Sequence, residues 1–374
     1  MTSTDVSMTV GLILEPLDVL FFRDGRPFTA SKRLLSGLPL PQTLAGAVRT
    51  ALLQQVGCDF SRMRGAATFA EAVARSCGSD DQWIARITIR GPWLARRTAA
   101  DKGIDVLVPM PATLQQAKRA EHQSLHRIAP LTANELPGWN PTGDQAGLRP
   151  LWLKTLDPTE PATGFLTQNG LRQFLMGEPV TTSEVVKTDK LYSLDHRTGI
   201  GISPDRLVAE ESQIYGRGFL ALKENVAIYA EVVLPDDAPP GGTLFDDLRT
   251  LSIGGEGRHA TIQQLHHPVA WPLIVPTEGQ KPLVLLTTPC PFKAGWKPQT
   301  LAQQIIAAAV PGSIPFSGWD LANRCPKSTR FAAQAGSVYF LDSLPAQEPH
   351  SLAETEDERQ LGWGCCLTGV WIDD

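Results

Sequence analysis

The sequence predicts an α+β protein built from two tandem ferredoxin-like domains, with glycine-rich loops and a long insertion in the first domain. Thr243–Leu265 and Ser351–Trp371 share one layout, in which a helix-like stretch precedes a glycine loop and a β-strand. This layout matches the last helix and last strand of a βαββαβ unit. The 30 prolines and 32 glycines among 374 residues favour many loops and short strands over long helices.

The first predicted domain begins with a strand at Ser7–Glu15, a short run rich in β-forming residues. Pro41 then begins a helix, since proline suits the first helical turn. Leu44, Val48 and Leu52 follow at helical spacing and predict the buried face of that helix. Two further strands are predicted at Ile84–Ile89 and Asp105–Val108.

The middle of the chain, from about 111 to 190, is polar and is interrupted by proline and glycine, which predicts an insertion with limited regular structure. A hairpin follows at Tyr192–Ile202 and Leu207–Leu222, and the clearest strand of the chain at Ala227–Leu234. The second domain is predicted to hold a first strand, a first helix and an inner strand at Pro282–Thr288, Thr300–Ala309 and Val338–Leu341. The domains are therefore expected at 1–270 and 271–374.

Composition indicates a soluble globular protein, with 42% apolar and 20% charged residues. No apolar run approaches the roughly 20 residues that span a bilayer, and the polar N-terminus does not have the layout of a signal peptide. We therefore expect a cytoplasmic protein that does not contact membranes. The six cysteines form no Cys-x-x-Cys pair, which predicts buried free thiols and neither a zinc site nor a disulfide framework.

The net charge of −5 hides an asymmetry along the chain. Residues 20–130 contain 16 Lys and Arg against 8 Asp and Glu, whereas residues 342–374 contain 8 acidic residues and one arginine. This distribution is compatible with a nucleic-acid surface on one side of the molecule, although scattered surface arginines would give the same count.

Two loops are candidate anion-binding sites. Glycines at 254, 255 and 257 let the backbone approach a phosphate closely, and Arg258 follows them, but a tight turn without a ligand would need the same glycines. In the segment Arg23-Asp24-Gly25-Arg26-Pro27-Phe28, guanidinium groups could bind phosphates and aromatic faces could stack on bases. A structural turn, in which Asp24 pairs with its neighbouring arginines, explains this segment equally well.

The histidines do not form a recognisable catalytic set. A metal-independent ribonuclease needs a positioned histidine base and a second acid or lysine, and no spacing in the sequence fixes such a pair. His196 lies between Asp195 and Arg197, and the adjacent His266 and His267 would point to opposite faces of a strand. We therefore expect no catalytic residue, no metal ligand and no cofactor.

These motifs together resemble a known family. The segments PLDVLFFRDGRPF, PLPQTLAGAVRTALL, DHRTGIGISPDR with QIYGRG, SIGGEGR and GWGCCLTGVW are similar to the third subunits of the Cmr complex. This complex is the type III-B CRISPR effector, and these subunits belong to the RAMP superfamily, whose domains are RRM-like. The resemblance runs from about residue 8 to 371 and leaves out the insertion at 111–189.

The resemblance implies a structural RNA-binding subunit without nuclease activity. It would cap the complex at the 5′ tag of the guide (CRISPR) RNA, together with the large polymerase-cyclase subunit and a backbone RAMP subunit. The RNA-facing set that it implies consists of Arg23, Arg26, Gly254, Gly255, Gly257 and Arg258, with His196 and Arg197 of the hairpin as additions.

Three alternatives stay open at this point. A guide-processing RAMP endoribonuclease would share the fold and the glycine loop, and His259 is close enough to that loop in sequence to serve as its base. The equivalent end-capping subunit of another type III effector would keep the chemistry and change the partners. A protein-interaction scaffold would not contact RNA at all.

Overall fold

A computed structural model of the chain describes residues 8–23, 34–98, 103–119, 123–132, 135–202, 205, 209–240, 244–277, 279–320, 325–343 and 349–372. The fold is mixed α/β, with few helices and mostly antiparallel sheets. None of the helices in these ranges is both long enough and apolar enough to span a membrane.

The α-helices are α1 (Pro41–Gln55), α2 (Phe69–Ser76), α3 (Gln168–Leu175) and α4 (Glu356–Gln360). The strands are β1 (Thr9–Pro16), β2 (Leu34–Leu35), β3 (Thr88–Arg97), β4 (Ile104–Pro109), β5 (Leu114–Ala117), β6 (His126–Arg127), β7 (Ala129–Pro130), β8 (Leu151–Trp152), β9 (Thr159–Pro161), β10 (Phe165–Leu166), β11 (Val185–Val186), β12 (Tyr192–Ile202), β13 (Ala209–Leu222), β14 (Val226–Val233), β15 (Thr250–Ser252), β16 (His259–Gln264), β17 (Gln280–Leu286), β18 (Ile305–Ala309), β19 (Ser313–Phe316), β20 (Trp319–Asp320), β21 (Cys325–Pro326), β22 (Arg330–Ala333), β23 (Val338–Leu341) and β24 (Cys366–Ile372).

The chain forms two compact units, and each unit is discontinuous in sequence. The first contains residues 1–92, 191–268 and 315–330, and the second contains 93–190, 269–314 and 331–374. The predicted domains 1–270 and 271–374 divide the chain once, whereas each compact unit draws on three stretches. The predicted insertion belongs to the second unit, where strands of two to four residues and α3 occupy it.

In the first unit, β1 pairs antiparallel with β14 on one side and with β16 on the other. The predicted first strand, the strand at Ala227–Leu234 and the helix beginning at Pro41 are confirmed. Leu44, Val48 and Leu52 are at most 1% exposed, so the spacing identified the buried face of α1 correctly.

The predicted hairpin is also confirmed, as β12 and β13 pair antiparallel from Tyr192↔Leu222 to Ile200↔Ile214. The register then shifts before Ile202↔Ala209, so that β12 advances two residues while β13 advances five. This bulge-like irregularity determines which side chains face one another across the hairpin. On its other edge, β13 pairs parallel with β2.

In the second unit, β17 lies between β23 and β24, and β23 pairs in turn with β18. The predicted strands at Pro282–Thr288 and Val338–Leu341 are confirmed, the latter as an inner strand of this sheet. In the same unit, the Thr167 side chain accepts a hydrogen bond from the Gly170 N–H at 3.1 Å and caps α3.

Three predicted elements differ from the structure. Thr300–Ala309 is not a helix, because Ile305–Ala309 forms the edge strand β18, and pairing with β23 outweighs the helical preference of its alanines. The helix predicted in LFDDLRTL is a turn followed by β15, which pairs antiparallel with β16. At Ile84–Ile89, a 3-10 helix (Ser79–Arg86) precedes β3, which begins only at Thr88.

The expectation of six free thiols is wrong. Cys58 and Cys77 form a disulfide with Cα atoms 4.7 Å apart, whereas Cys290, Cys325, Cys365 and Cys366 are free. The backbone holds the two cysteines close together. The N–H of Asp59, which follows Cys58, donates to the carbonyl of Ser76, which precedes Cys77, at 3.0 Å. This proximity depends on how α2 folds back on the chain before it, so the spacing of 19 residues does not reveal it.

Candidate nucleic-acid interface

The loop after β1 is fastened to the hairpin in the first unit. Leu20 and Leu220 exchange two backbone hydrogen bonds of 2.8 Å, which hold Phe21 beside β13. Phe21 and Phe22 are only 2% and 6% exposed. Their rings therefore do not present free faces on which RNA bases could stack, and Phe28 lies outside the described residues.

The first glycine loop, residues 253–258, connects β15 to β16 and packs against the loop after β1. The Gly255 N–H donates to the Phe21 carbonyl at 2.8 Å. Gly254 has φ +79°, and a Cβ there would lie 2.6 Å from the same carbonyl oxygen. Gly257 also has positive φ (+62°), but a Cβ there would meet open space. The close backbone approach at Gly254 and Gly255 thus serves the protein's own chain.

The hairpin contributes a face that carries two opposed arginines. Arg197 on β12 lies opposite Arg217 on β13, and Asp195 lies opposite Phe219. Because side chains alternate along a strand, these four project from one face, while His196 projects from the other. The structure therefore separates His196 from Arg197, although they are adjacent in sequence.

Three guanidinium groups stack on a pair of phenyl rings from these elements. The centroids of Phe21 and Phe219 are 5.2 Å apart. The guanidinium carbons of Arg258 and Arg197 lie 4.9 and 5.1 Å from the Phe219 centroid, and that of Arg217 lies 5.8 Å from the Phe21 centroid. We call Phe21, Phe219, Arg197, Arg217 and Arg258 the arginine platform. Cation–π contacts restrict where these guanidinium groups lie.

Carboxylates from the surrounding loops and from β12 pair with every arginine of the platform. Asp18 Oδ2 lies 2.6 Å from Arg258 Nη1, and Asp18 Oδ1 lies 3.7 Å from Arg197 Nη2. Asp195 pairs with Arg197 at 2.8 Å, and Glu256 at the tip of the glycine loop pairs with Arg217. A hydrogen bond from the Val19 N–H, followed by attraction to the two arginines, holds the pKa of the Asp18 carboxyl below its usual value.

The comparison with known protein families identifies the chain. The family described as CRISPR-associated protein (Cas_Cmr3) matches residues 12–371. The chain belongs to the Cas_Cmr3 family. No curated protein sequence matches it significantly.

Solved structures share the fold of this Cas_Cmr3 family member. A chain in the cryo-EM structure of the Type III-B Cmr-beta bound to cognate target RNA and AMPPnP, state 1, matches with a TM-score of 0.50 and 17% identity, over 88% of this chain and 86% of that chain. A chain in the structure of the Type III-B Cmr-beta bound to cognate target RNA matches with a TM-score of 0.50 and 16% identity over the same shares.

The residues predicted for RNA binding in this Cas_Cmr3 protein occupy different environments. Arg23 is exposed at the end of the described part of the loop after β1, and Arg26 lies outside the described residues. Arg197 and Arg258 belong to the platform, with side chains 45% and 21% exposed. Gly254 and Gly255 contact the loop after β1, a Cβ at Gly257 would meet open space, and His196 lies on the other face of the hairpin.

Sequence reasoning missed Arg217, Phe219 and the two carboxylates of Asp18 and Glu256. If the pairing of Ile202 with Ala209 continued along the hairpin without a register shift, Arg197 would lie opposite Ile214. The irregularity places it opposite Arg217 instead. The signal for Arg217 was its position in the QIYGRG segment, but only the register connects it with Arg197.

Proposed function

We propose that this chain is a non-catalytic RNA-binding subunit of a type III-B CRISPR effector that holds the 5′ tag of the guide RNA. In this proposal it caps the complex between the large polymerase-cyclase subunit and a backbone RAMP subunit. We also infer that both units are ferredoxin-like, as in the RAMP superfamily.

Membership of the Cas_Cmr3 family and the arginine platform support this proposal. The platform is the observation on which RNA binding mainly depends. Guanidinium groups bind phosphates through paired donors, and stacking on Phe21 and Phe219 fixes three of them at one surface. Arg23, two residues after Phe21 in sequence, is exposed. Single-stranded RNA is commonly held by such cationic surfaces along its backbone.

The endoribonuclease alternative would depend on His259. His259 Nε2 lies 3.1 Å from Ser252 Oγ across β15 and β16, and both side chains are exposed. A hydroxyl can orient this imidazole, but no acid or lysine among the described residues forms a hydrogen bond or an ion pair with it. We therefore favour binding without cleavage.

RNA binding is tested with a fluorescent RNA that carries the repeat sequence of the CRISPR array accompanying this chain, hereafter the repeat RNA. Arg197→Gln and Arg217→Gln are each expected to weaken binding, because each removes one guanidinium from the platform. For each lost phosphate contact to a single strand, the slope of log K against log salt should flatten by about 0.7. Fluorescence anisotropy between about 50 and 200 mM salt measures both quantities.

Arg64→Gln is the matched control, since Arg64 is exposed in the same unit and forms no ion pair with the residues that the structure describes. Unchanged affinity and slope for Arg197→Gln and Arg217→Gln, with normal circular dichroism, would contradict the assignment of the platform. Cleavage of the repeat RNA that His259→Ala abolishes would establish the endoribonuclease alternative. Co-purification with subunits of a different type III effector would change the partners and leave the site unchanged.

A further inference from the structure

We propose that Asp18 is a built-in competitor for RNA phosphate, whose carboxylate occupies the anion site between Arg197 and Arg258 until a phosphodiester replaces it. This inference rests on the proposed function and names the residue that regulates the same site. It assigns the ligand of that site as a phosphodiester group of single-stranded RNA.

The geometry of Asp18 is that of a bound anion. One of its carboxylate oxygens lies 2.6 Å from Arg258 Nη1, and the other lies 3.7 Å from Arg197 Nη2. Asp18 therefore bridges two cations that come from separate elements, the glycine loop and β12. Two oxygens of a phosphodiester can make the same bridge, since guanidinium groups bind carboxylates and phosphates in similar geometry.

Other contacts hold the two arginines when the carboxylate leaves. Both guanidinium groups stack on Phe219, Arg197 also pairs with Asp195 at 2.8 Å, and the backbone of Arg258 accepts a hydrogen bond from the Ile253 N–H at 3.0 Å. The site is thus largely pre-formed without Asp18. Pre-formed sites bind their ligands with a smaller loss of conformational freedom.

Asp18 itself is free to leave the site. Its side chain is 55% exposed and lies in the short loop after β1 rather than within a strand. An exposed ion pair of this kind contributes little to stability, because water and salt screen it. A polyanion that brings several phosphates to the surface can displace one carboxylate, whereas a single small anion gains less from the exchange. Asp18 would therefore reduce binding of incidental anions.

The test compares binding of the repeat RNA by the full chain and by Asp18→Asn. Asparagine keeps the side-chain oxygen that accepts the Val19 N–H and removes the charge. We expect affinity to rise by about three- to tenfold, because Asp18 forms two exposed ion pairs and each shifts an equilibrium by about 1.4- to 5-fold. The slope of log K against log salt should steepen by up to about 0.7, because the displaced carboxylate of the parent takes up a cation from solution and the asparagine does not.

Asp246→Asn is the matched control, since Asp246 is exposed in the same unit and forms no ion pair within the described part of the chain. It removes the same charge and should leave affinity within about twofold, the scale of a screened surface charge. The double variant Asp18→Asn with Arg258→Gln should lose the gain, because one of the two bridged cations is absent. If Asp18→Asn folds poorly, Asp18→Ser removes the same charge with a smaller polar side chain.

The outcomes separate this inference from the proposed function. Tighter binding by Asp18→Asn but not by Asp246→Asn supports the inference. Equal or weaker binding by Asp18→Asn, with the parent binding the repeat RNA, overturns the inference and leaves the proposed function intact. Equal gains in both variants overturn it as well, because general charge would then explain the effect. If neither the parent nor Asp18→Asn binds the RNA at low salt, both proposals fail.

Discussion

The two glycine loops make the same backbone contact in different surroundings. In the first unit, the loop precedes β16, which pairs with β1, and its Gly255 N–H donates to Phe21 in the segment after β1. In the second unit, the loop Gly362-Trp363-Gly364 precedes β24, which pairs with β17. Its Gly364 N–H donates to Pro289, in the segment after β17, and both hydrogen bonds are 2.8 Å long.

The surroundings differ in burial and charge. Near the second loop, Trp363 is 1% exposed, and the buried Thr288 hydroxyl donates to the Gly362 carbonyl at 2.7 Å and accepts from the Cys365 N–H at 2.8 Å. Near the first loop, the neighbouring side chains instead form exposed ion pairs, such as Arg258–Asp18. The shared glycines are therefore architectural, and the arginines around the first loop are what distinguish it as a candidate RNA site.

The largest expected effect is at Gly364, whose φ is +73°. A Cβ there would lie 2.8 Å from Cys290 Sγ and from the Ala353 nitrogen. Gly364→Ala should therefore lower the free energy of unfolding by about 2–4 kcal/mol, from the left-handed backbone and from overpacking. A Cβ at Gly257 in the first loop would meet open space. Gly257→Ala should therefore lower the free energy of unfolding by only about 1 kcal/mol, from the left-handed backbone alone. Urea denaturation of both variants measures the difference, and equal losses would contradict it.

The next effect comes from the buried hydroxyl. Thr288→Val should lower the free energy of unfolding by about 2 kcal/mol or more, because the Gly362 carbonyl and the Cys365 N–H both lose a buried partner. The exposed Ser252→Ala, beside the first loop, should stay within about 0.5 kcal/mol of the parent. If both substitutions cost the same, the two loops are not held in place by different kinds of contact.

The smallest effect concerns pH. The folded-state pKa of Asp18 is lowered from 3.8, so its stabilisation is present above that value and is lost as pH falls through the folded pKa. The melting temperature of Asp18→Asn should thus lie about 2 °C below that of the parent near pH 7 and converge with it at low pH. The deficit of Thr288→Val should not show this convergence, since both of its contacts are neutral. A thermal series across acidic pH distinguishes the two.

The spacing of apolar residues and the runs of β-forming residues were enough to predict one helix and several strands. Leu44, Val48 and Leu52 identified α1, and short runs of β-forming residues identified β1, β14 and the β12–β13 hairpin. Contacts between residues that are distant in sequence could not be predicted in this way. Ile305–Ala309 became a strand only because β23 offers an edge, and the partnership of Cys58 with Cys77 depends on how α2 folds back.

The candidate site divides in the same way. The glycines, Arg197 and Arg258 were found because their motifs are contiguous in sequence. Arg217 and Asp18 were not found, since the register shift in the hairpin and an ion pair between residues 18 and 258 bring them to the platform. The charge counts pointed to residues 20–130, whereas all three arginines of the platform lie between residues 197 and 258.

The discontinuity of the first unit has a consequence for biosynthesis. Residues 315–330 belong to it, and the Gln42 side chain on α1 donates to the Ser317 carbonyl. The ribosome therefore releases α1 and the arginine platform long before the segment that binds the Gln42 side chain. The first unit therefore stays incomplete in the nascent chain while residues 269–314, which belong to the other unit, are synthesised. Messages truncated anywhere before residue 330 would consequently encode neither unit in full.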